Sequence, residues 1–108
     1  MKAVGIKKSL PIDQEESFIA FETEKPTPQK RDLLIKIKAV AVNPVDYKLR
    51  QGSAKDKILD TPKILGWDAV GVVEAIGPDV EIFKEGDEVY YAGDITRPGC
   101  NAENQLID

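Results

Sequence analysis

Residues 66–77 read Gly66-Trp67-Asp68-Ala69-Val70-Gly71-Val72-Val73-Glu74-Ala75-Ile76-Gly77. Parity splits the run into two faces. Ala69, Gly71, Val73, Ala75 and Gly77 share one, all small apart from Val73, and Val70, Val72, Glu74 and Ile76 share the other. A short run that is apolar on both faces predicts a strand covered on both sides. Gly66, Gly71 and Gly77 predict bends or close backbone approach, as at a barrel corner. Gly77-Pro78-Asp79 is a turn signal, and Phe83-Lys84-Glu85-Gly86-Asp87 is a second one feeding a strand over 88–92. The middle of the chain is therefore strand, tight corner, strand.

Upstream, residues 33–42 alternate most cleanly, with Ile35 and Ile37 set against Lys36 and Lys38. That is a half-exposed strand. Its last four residues, Ala39, Val40, Ala41 and Val42, are all apolar, so the pattern predicts that the strand enters the interior there. Residues 43–50 carry the one clear helix start. Asn43 can cap, Pro44 suits the first helical position, and Asp46 stands third, where a carboxylate meets the positive helix end. Gly52 closes this two-turn helix in the expected pattern.

The rest is short strands and turns. Residues 2–7 form a first strand. Residues 17–24 form a second, with Phe18 and Phe21 expected in the core. Residues 25–32 hold two prolines and four charges, a connecting loop with polyproline character. Residues 53–60 are polar and charged and read as a mobile loop. Thr61-Pro62-Lys63 breaks the chain before Ile64 and Leu65 enter the central strand. Residues 93–99 form a loop, and 101–108 a final strand. Many short strands with one short helix predict a mainly β domain, a small barrel. No internal repeat, heptad or low-complexity tract occurs.

Composition narrows the function classes. A chain of 108 residues makes one domain with a modest core, and with aromatics at 6% that core must rest on Val, Ile, Leu and Ala. A net charge of −4 and no basic stripe argue against nucleic acid as a partner. No apolar run approaches the roughly 18 residues of a membrane span. Met1-Lys2 passes straight into the first strand, without a secretory signal. The single Cys100 excludes an internal disulfide framework. Together these predict a bacterial-type cytoplasmic protein.

The ordered motifs Asn43-Pro44-Val45-Asp46, Gly52, Gly66-x-Asp68-x-x-Gly71, Gly77-Pro78-Asp79-Val80 and Phe83-Lys84-x-Gly86-Asp87-x-Val89 resemble the medium-chain dehydrogenase/reductase superfamily. Within it the chain is most similar to the zinc-free quinone oxidoreductase branch, the zeta-crystallin-like proteins. The resemblance covers nearly the whole chain and is specific as an ordered set. It implies a GroES-like, partly open β-barrel with one or two short helices, the substrate-side catalytic domain. A Rossmann nucleotide-binding domain would follow downstream, since no Gly-x-Gly-x-x-Gly turn or βαβ unit occurs here. The chain is accordingly read as one domain of a longer protein rather than a natural stand-alone one.

Zinc is the first chemistry to weigh. A catalytic site takes His, Cys and carboxylate ligands, and a structural site takes four Cys or Cys/His ligands. This chain has no histidine and one cysteine. The resemblance implies that zinc enzymes carry Cys where Asn43 stands, and His-Glu where Trp67-Asp68 stands. No metal site is expected. Asn43 and Asp46 are explained by helix capping alone, but the resemblance places the matching Asn in the cleft beside the nicotinamide, and the two roles are compatible. Tyr47 reads as a half-buried aromatic on the helix; relatives carry a tyrosine one position later, where Lys48 stands. Trp67 reads either as core or as an indole filling the space of the lost metal site. Lys48 and Arg50 are candidates for a cofactor phosphate, against a reading as solvated cations. Cys100, with only Arg97 nearby, reads as an inert thiol.

These residues yield a leading expectation: the catalytic domain of a zinc-independent NADPH-dependent oxidoreductase that reduces quinones or enones. Asn43, Asp46, Tyr47 and Trp67 would form the substrate-side wall, and Asn43 and Lys48 would touch the cofactor. Expected partners are a small carbonyl or quinone substrate and, in the full-length protein, a second copy as a homodimer. The proton donor stays open among solvent, Tyr47 and a cofactor hydroxyl. Two alternatives stand beside it: a self-contained GroES-like binding or assembly module, and a zinc alcohol dehydrogenase domain with degenerate ligands.

Overall fold

A computed structural model describes residues 1–55 and 58–108. It is mainly β, with eight regular elements: β1 (Lys2–Ile6), β2 (Ile19–Glu22), β3 (Leu33–Ala41), α1 (Pro44–Gly52), β4 (Lys63–Ile64), β5 (Asp68–Ile76), β6 (Glu88–Ala92) and β7 (Asn104–Ile107). A single 3₁₀ turn, Glu15–Ser17, precedes β2. Two antiparallel sheets form, in the orders β2-β1-β4 and β6-β5-β3-β7. They do not close into a barrel. A bridge between Ala3 and Ala102 stitches them, reinforced by Val4 N–H donating to the Asn101 carbonyl at 2.9 Å. This is the GroES-like, partly open architecture that the sequence motifs imply.

The central strand β5 hydrogen-bonds β3 on one side and β6 on the other. Its small face is buried at Ala69, Gly71 and Val73. The expectation of cover on both faces is corrected: Val70 and Val72 are half-buried, and Glu74 is exposed. Two core clusters result. Leu33, Ile35 and Val73 form one, and Ile6, Leu65 and Trp67 form the other. Complete burial of a side chain such as Ile35 contributes about 1.5–3 kcal/mol. Val45 and Leu49, four residues apart on one face of α1, seal the second cluster.

Several expectations are corrected, each for a physical reason. The tip of β3 does not enter the interior: Val40 is 43% and Val42 79% exposed, and the buried end is Leu33–Ile35. No described element lies over the tip, so its apolar pattern meets solvent. Phe18 is likewise outside the core, because the 3₁₀ turn ends at Ser17 and β2 starts only at Ile19; the ring lies under the Arg50 guanidinium, 5.9 Å away. Ile64 does not run on into the central strand. β4 pairs with β1, and Gly66 at φ +99° breaks the chain before β5. A Cβ there would sit 2.8 Å from Cys100 Sγ. Gly52 is the last helical residue rather than a left-handed stop, and Ser53 caps the end by donating N–H to the Leu49 carbonyl at 2.9 Å. The final strand begins at Asn104, since Asn101–Glu103 are spent bridging the sheets.

The mobile-loop expectation for 53–60 falls partly outside the described residues, at Asp56 and Lys57. On either side the loop is pinned. Ala54 is buried and donates N–H to Ser9 Oγ at 2.9 Å, and Leu59 N–H reaches the Lys7 carbonyl at 2.8 Å.

The tightest constraint in the sheet is at Gly71. A Cβ there would lie 2.6 Å from Ile35 Cγ2 and would also strike the Lys36 carbonyl. Backbone cannot yield as a side chain does. Gly71→Val should therefore destabilise by about 2–3 kcal/mol, read as a lowered urea midpoint; an unchanged midpoint would show this face of β5 to be open.

Candidate functional site

The site is built where β3 ends and α1 begins. Asn43 holds extended backbone at φ −129° and ψ 166°, so the chain turns from strand into helix at this residue. A capping box with Asp46 forms. Asp46 Oδ2 accepts the Asn43 N–H at 2.8 Å, and Asp46 N–H reaches the Asn43 carbonyl at 2.9 Å. The Asn43 side-chain nitrogen donates to Asp68 Oδ2, at the first residue of β5. A carboxylate only accepts, so this contact fixes which end of the amide faces β5. Asn43 is thereby held at its backbone by one carboxylate and at its side chain by another.

Asp46 is 8% exposed, and its Oδ1 is buried with no hydrogen-bond partner among the described residues. Cys100 lies close to both carboxylates. Its thiol is 1% exposed and donates to the Asp68 carbonyl, with sulfur to oxygen 3.7 Å. Burial pushes it from 9.0 up to about 11, and the charges on Asp46 and Asp68 act in the same direction. The thiol is protonated at neutral pH, as expected of an inert cysteine.

The candidate residues separate into groups. Asn43 and Asp46 come together with Asp68, which sequence reasoning left out of the wall. Its signal was present in the motif, directly after Trp67. Tyr47 is 51% exposed, and Lys48 is also exposed on the helix. Trp67 is 3% exposed, packed with Ile6 and Leu65, and donates Nε1–H to the Asp94 carbonyl at 3.0 Å. The indole is thus a core element. Arg50 is no solvated cation: it is 6% exposed and donates to the Leu10 carbonyl at 2.6 Å. Arg97 instead pairs with Asp32, donating at 2.9 and 3.2 Å, and this hydrogen bond holds the Asp32 carboxyl below its usual range.

From Asp68 an open groove of about 350 Å³ runs across the sheet past Ala39, Ala41 and Val70 to Tyr90. The register explains it. Ala41 faces Asp68, and Ala39 and Tyr90 flank Val70, so one sheet face carries small residues between the carboxylate and an exposed ring. A larger apolar groove of about 730 Å³, lined by Ala3, Val4, Phe21 and Ile37 among others, contains none of the candidate residues.

These residues do not fit a zinc ion. The chain offers no histidine and one cysteine. Among the described residues no three His, Cys, Asp or Glu side chains stand together as a ligand set. No helix of the described residues is long and apolar enough to cross a membrane.

Residues 29–105 match the alcohol dehydrogenase GroES-like domain family, and the chain belongs to that family. Its relatives are dehydrogenases and reductases. Across 99% of its length it is 46% identical to a zinc-type alcohol dehydrogenase-like protein of Staphylococcus aureus, of which it covers 31%. Its fold superposes with a TM-score of 0.93 on a Rhizobium etli protein provisionally described as a zinc-dependent alcohol dehydrogenase, 51% identical over the full chain and 31% of that structure. It also matches the quinone oxidoreductase of Coxiella burnetii, with a TM-score of 0.84 and 33% identity over the full chain and 34% of that structure. The chain thus spans about a third of the length of these relatives.

The buried thiol gives a pH signature. The unfolded chain releases the proton from about pH 9 upward, whereas the folded chain holds it to about 11. Stability is therefore full below pH 9 and falls as pH rises toward 11. Between pH 8 and 10.5, urea unfolding of the wild type should lose about 2 kcal/mol more than Cys100→Ala loses. Equal losses would mean that the thiol titrates as in water.

Proposed function

We propose that the chain is the substrate-side catalytic domain of a zinc-independent, NADPH-dependent reductase of quinones or enones, with a nucleotide-binding domain elsewhere in the full-length protein. The observation that carries this reading is Asn43, an amide locked between two carboxylates at the strand-to-helix junction where a zinc enzyme of this superfamily would have a thiolate. An amide nitrogen donating to a carboxylate cannot act as a metal ligand. The names of the first relatives point to zinc, whereas the ligand chemistry of this chain points away from it. The Coxiella protein, with 33% identity, supports the quinone side of the reading. A quinone is itself a cyclic conjugated enone, so one hydride-accepting chemistry covers both substrate classes.

In this reading the cofactor supplies hydride, and the domain supplies orientation. Asn43 fixes the entry point of the site, Asp46 and Asp68 hold Asn43, and Tyr47 and Lys48 stand exposed on the adjacent helix turn. The groove toward Tyr90 receives the apolar part of the acceptor. The acceptor's proton comes from solvent, from Tyr47 or from a cofactor hydroxyl.

Two experiments test the reading. Full-length protein, treated with a chelator and shown by elemental analysis to hold less than about a tenth of a zinc per chain, should still oxidise NADPH with a quinone; activity that tracks zinc content would sink it. The second separates support from contact. Asn43→Ser keeps a capping oxygen and should cost a few tenths of a kcal/mol, while Asn43→Ala should cost about 1 kcal/mol. If Asn43 touches cofactor or substrate, both variants lose kcat/KM by similar factors. Activity that instead follows stability would make Asn43 a cap alone.

A further inference from the structure

We infer that Asp68, with Asp46 behind it, makes the site beside Asn43 selective for the oxidised, cationic form of the nicotinamide cofactor. The inference rests on the reading of the chain as a nicotinamide-dependent reductase. Two carboxylates converge on one residue: Asp46 accepts the Asn43 N–H, and Asp68 accepts its side-chain amide. Neither is in an ion pair among the described residues, where the two ion pairs are Lys25–Glu74 and Arg97–Asp32. Of the two cations on α1, Arg50 is turned toward the Leu10 carbonyl and the Phe18 ring, and Lys48 is exposed and in no ion pair among the described residues. Asp46 further keeps one buried oxygen without a partner. The helix N-terminus offsets part of the Asp46 charge. Asp68 begins β5, where no helix end offsets its charge, and it has no ion-pair partner among the described residues.

A site with uncompensated negative charge disfavours a developing oxyanion and favours a developing cation. Hydride transfer produces both. A bound cofactor would supply the two-electron hydride to the conjugated carbon of the acceptor, whose oxygen would then take up a proton, and Asp68 and Asp46 would set negative charge beside the ring that gives up the hydride. The charge at Asn43 therefore suits the ring and not the acceptor oxygen.

The test is cofactor binding by the full-length protein, measured by calorimetry with NADP⁺ and with NADPH separately. Asp68→Asn keeps an acceptor oxygen for the Asn43 amide and removes only the charge. It should weaken NADP⁺ about three- to tenfold and leave NADPH within about twofold. Asp68→Glu restores the charge and should keep the ratio of the two dissociation constants near that of the wild type. An Asp68→Asn variant that changes both affinities equally, or neither, overturns the inference while leaving the reductase reading intact. A wild-type protein that binds neither form overturns both. Circular dichroism of each variant guards against a change that comes from misfolding.

Discussion

The closeness of β5 to β3 governs the rest of the molecule. The two strands pair from Leu33↔Ile76 to Ala41↔Asp68, and Gly71 lets the backbones meet where any side chain would collide with the Lys36 carbonyl. The pairing does two things at once. At one end it buries Leu33, Ile35 and Val73, which form a core cluster. At the other it carries Ala41 alongside Asp68, so that Asn43, two residues further on, falls within reach of the Asp68 carboxylate. Packing at the centre of the sheet and placement of the site are therefore one constraint read at two ends. A bulge between Ile37 and Ala39 adjusts the register so that Ala39 and Ala41 share a face with Val70 and Asp68.

What was legible in the sequence follows from how local each signal is. The strand read within 66–77, its turn at Pro78 and the second turn before β6 are encoded in parity and in glycine and proline chemistry; both turns appear, and the strand appears with the narrower bounds Asp68–Ile76. The helix start at Asn43-Pro44 with Asp46 is equally local and is present as a capping box. Signals that depend on what lies across space were misread. Residues 39–42 are apolar enough to be buried, but burial needs a neighbour, and no described element lies over that tip. Phe18 reads as core by hydrophobicity alone, yet the preceding 3₁₀ turn places it where Arg50 covers only one side of the ring. Arg50 itself resembles a surface cation in sequence, and only the fold shows it spent on a main-chain carbonyl.

Asp68 was hidden for a related reason. In the sequence it is the polar first residue of an apolar strand, which is unremarkable on its own. Its role depends on register, because Asn43 lies 25 positions earlier and is brought to it only by the β3–β5 ladder. Trp67 shows the opposite case. Its place beside Asp68 suggests a part in the site, but it lies in the link between β4 and β5, before the strand begins. Asp68 lines the groove, while Trp67 packs with Ile6 and Leu65.

The same geometry sets what chemistry this end of the fold can hold. A thiolate, an imidazole and a carboxylate around the junction would bring a metal dication to balance their charge. Here the Asn43 amide stands at the junction and the Trp67 indole packs in the core, and the carboxylates of Asp46 and Asp68 make no ion pair among the described residues. One is partly offset by the helix N-terminus, and the other, among the described residues, is met by a hydrogen bond from a neutral amide. A polar site with surplus negative charge persists only if solvent screens it or if function uses it. Asp68 is half-buried beside a groove lined by alanine, valine and tyrosine, where screening is weaker than on an open face.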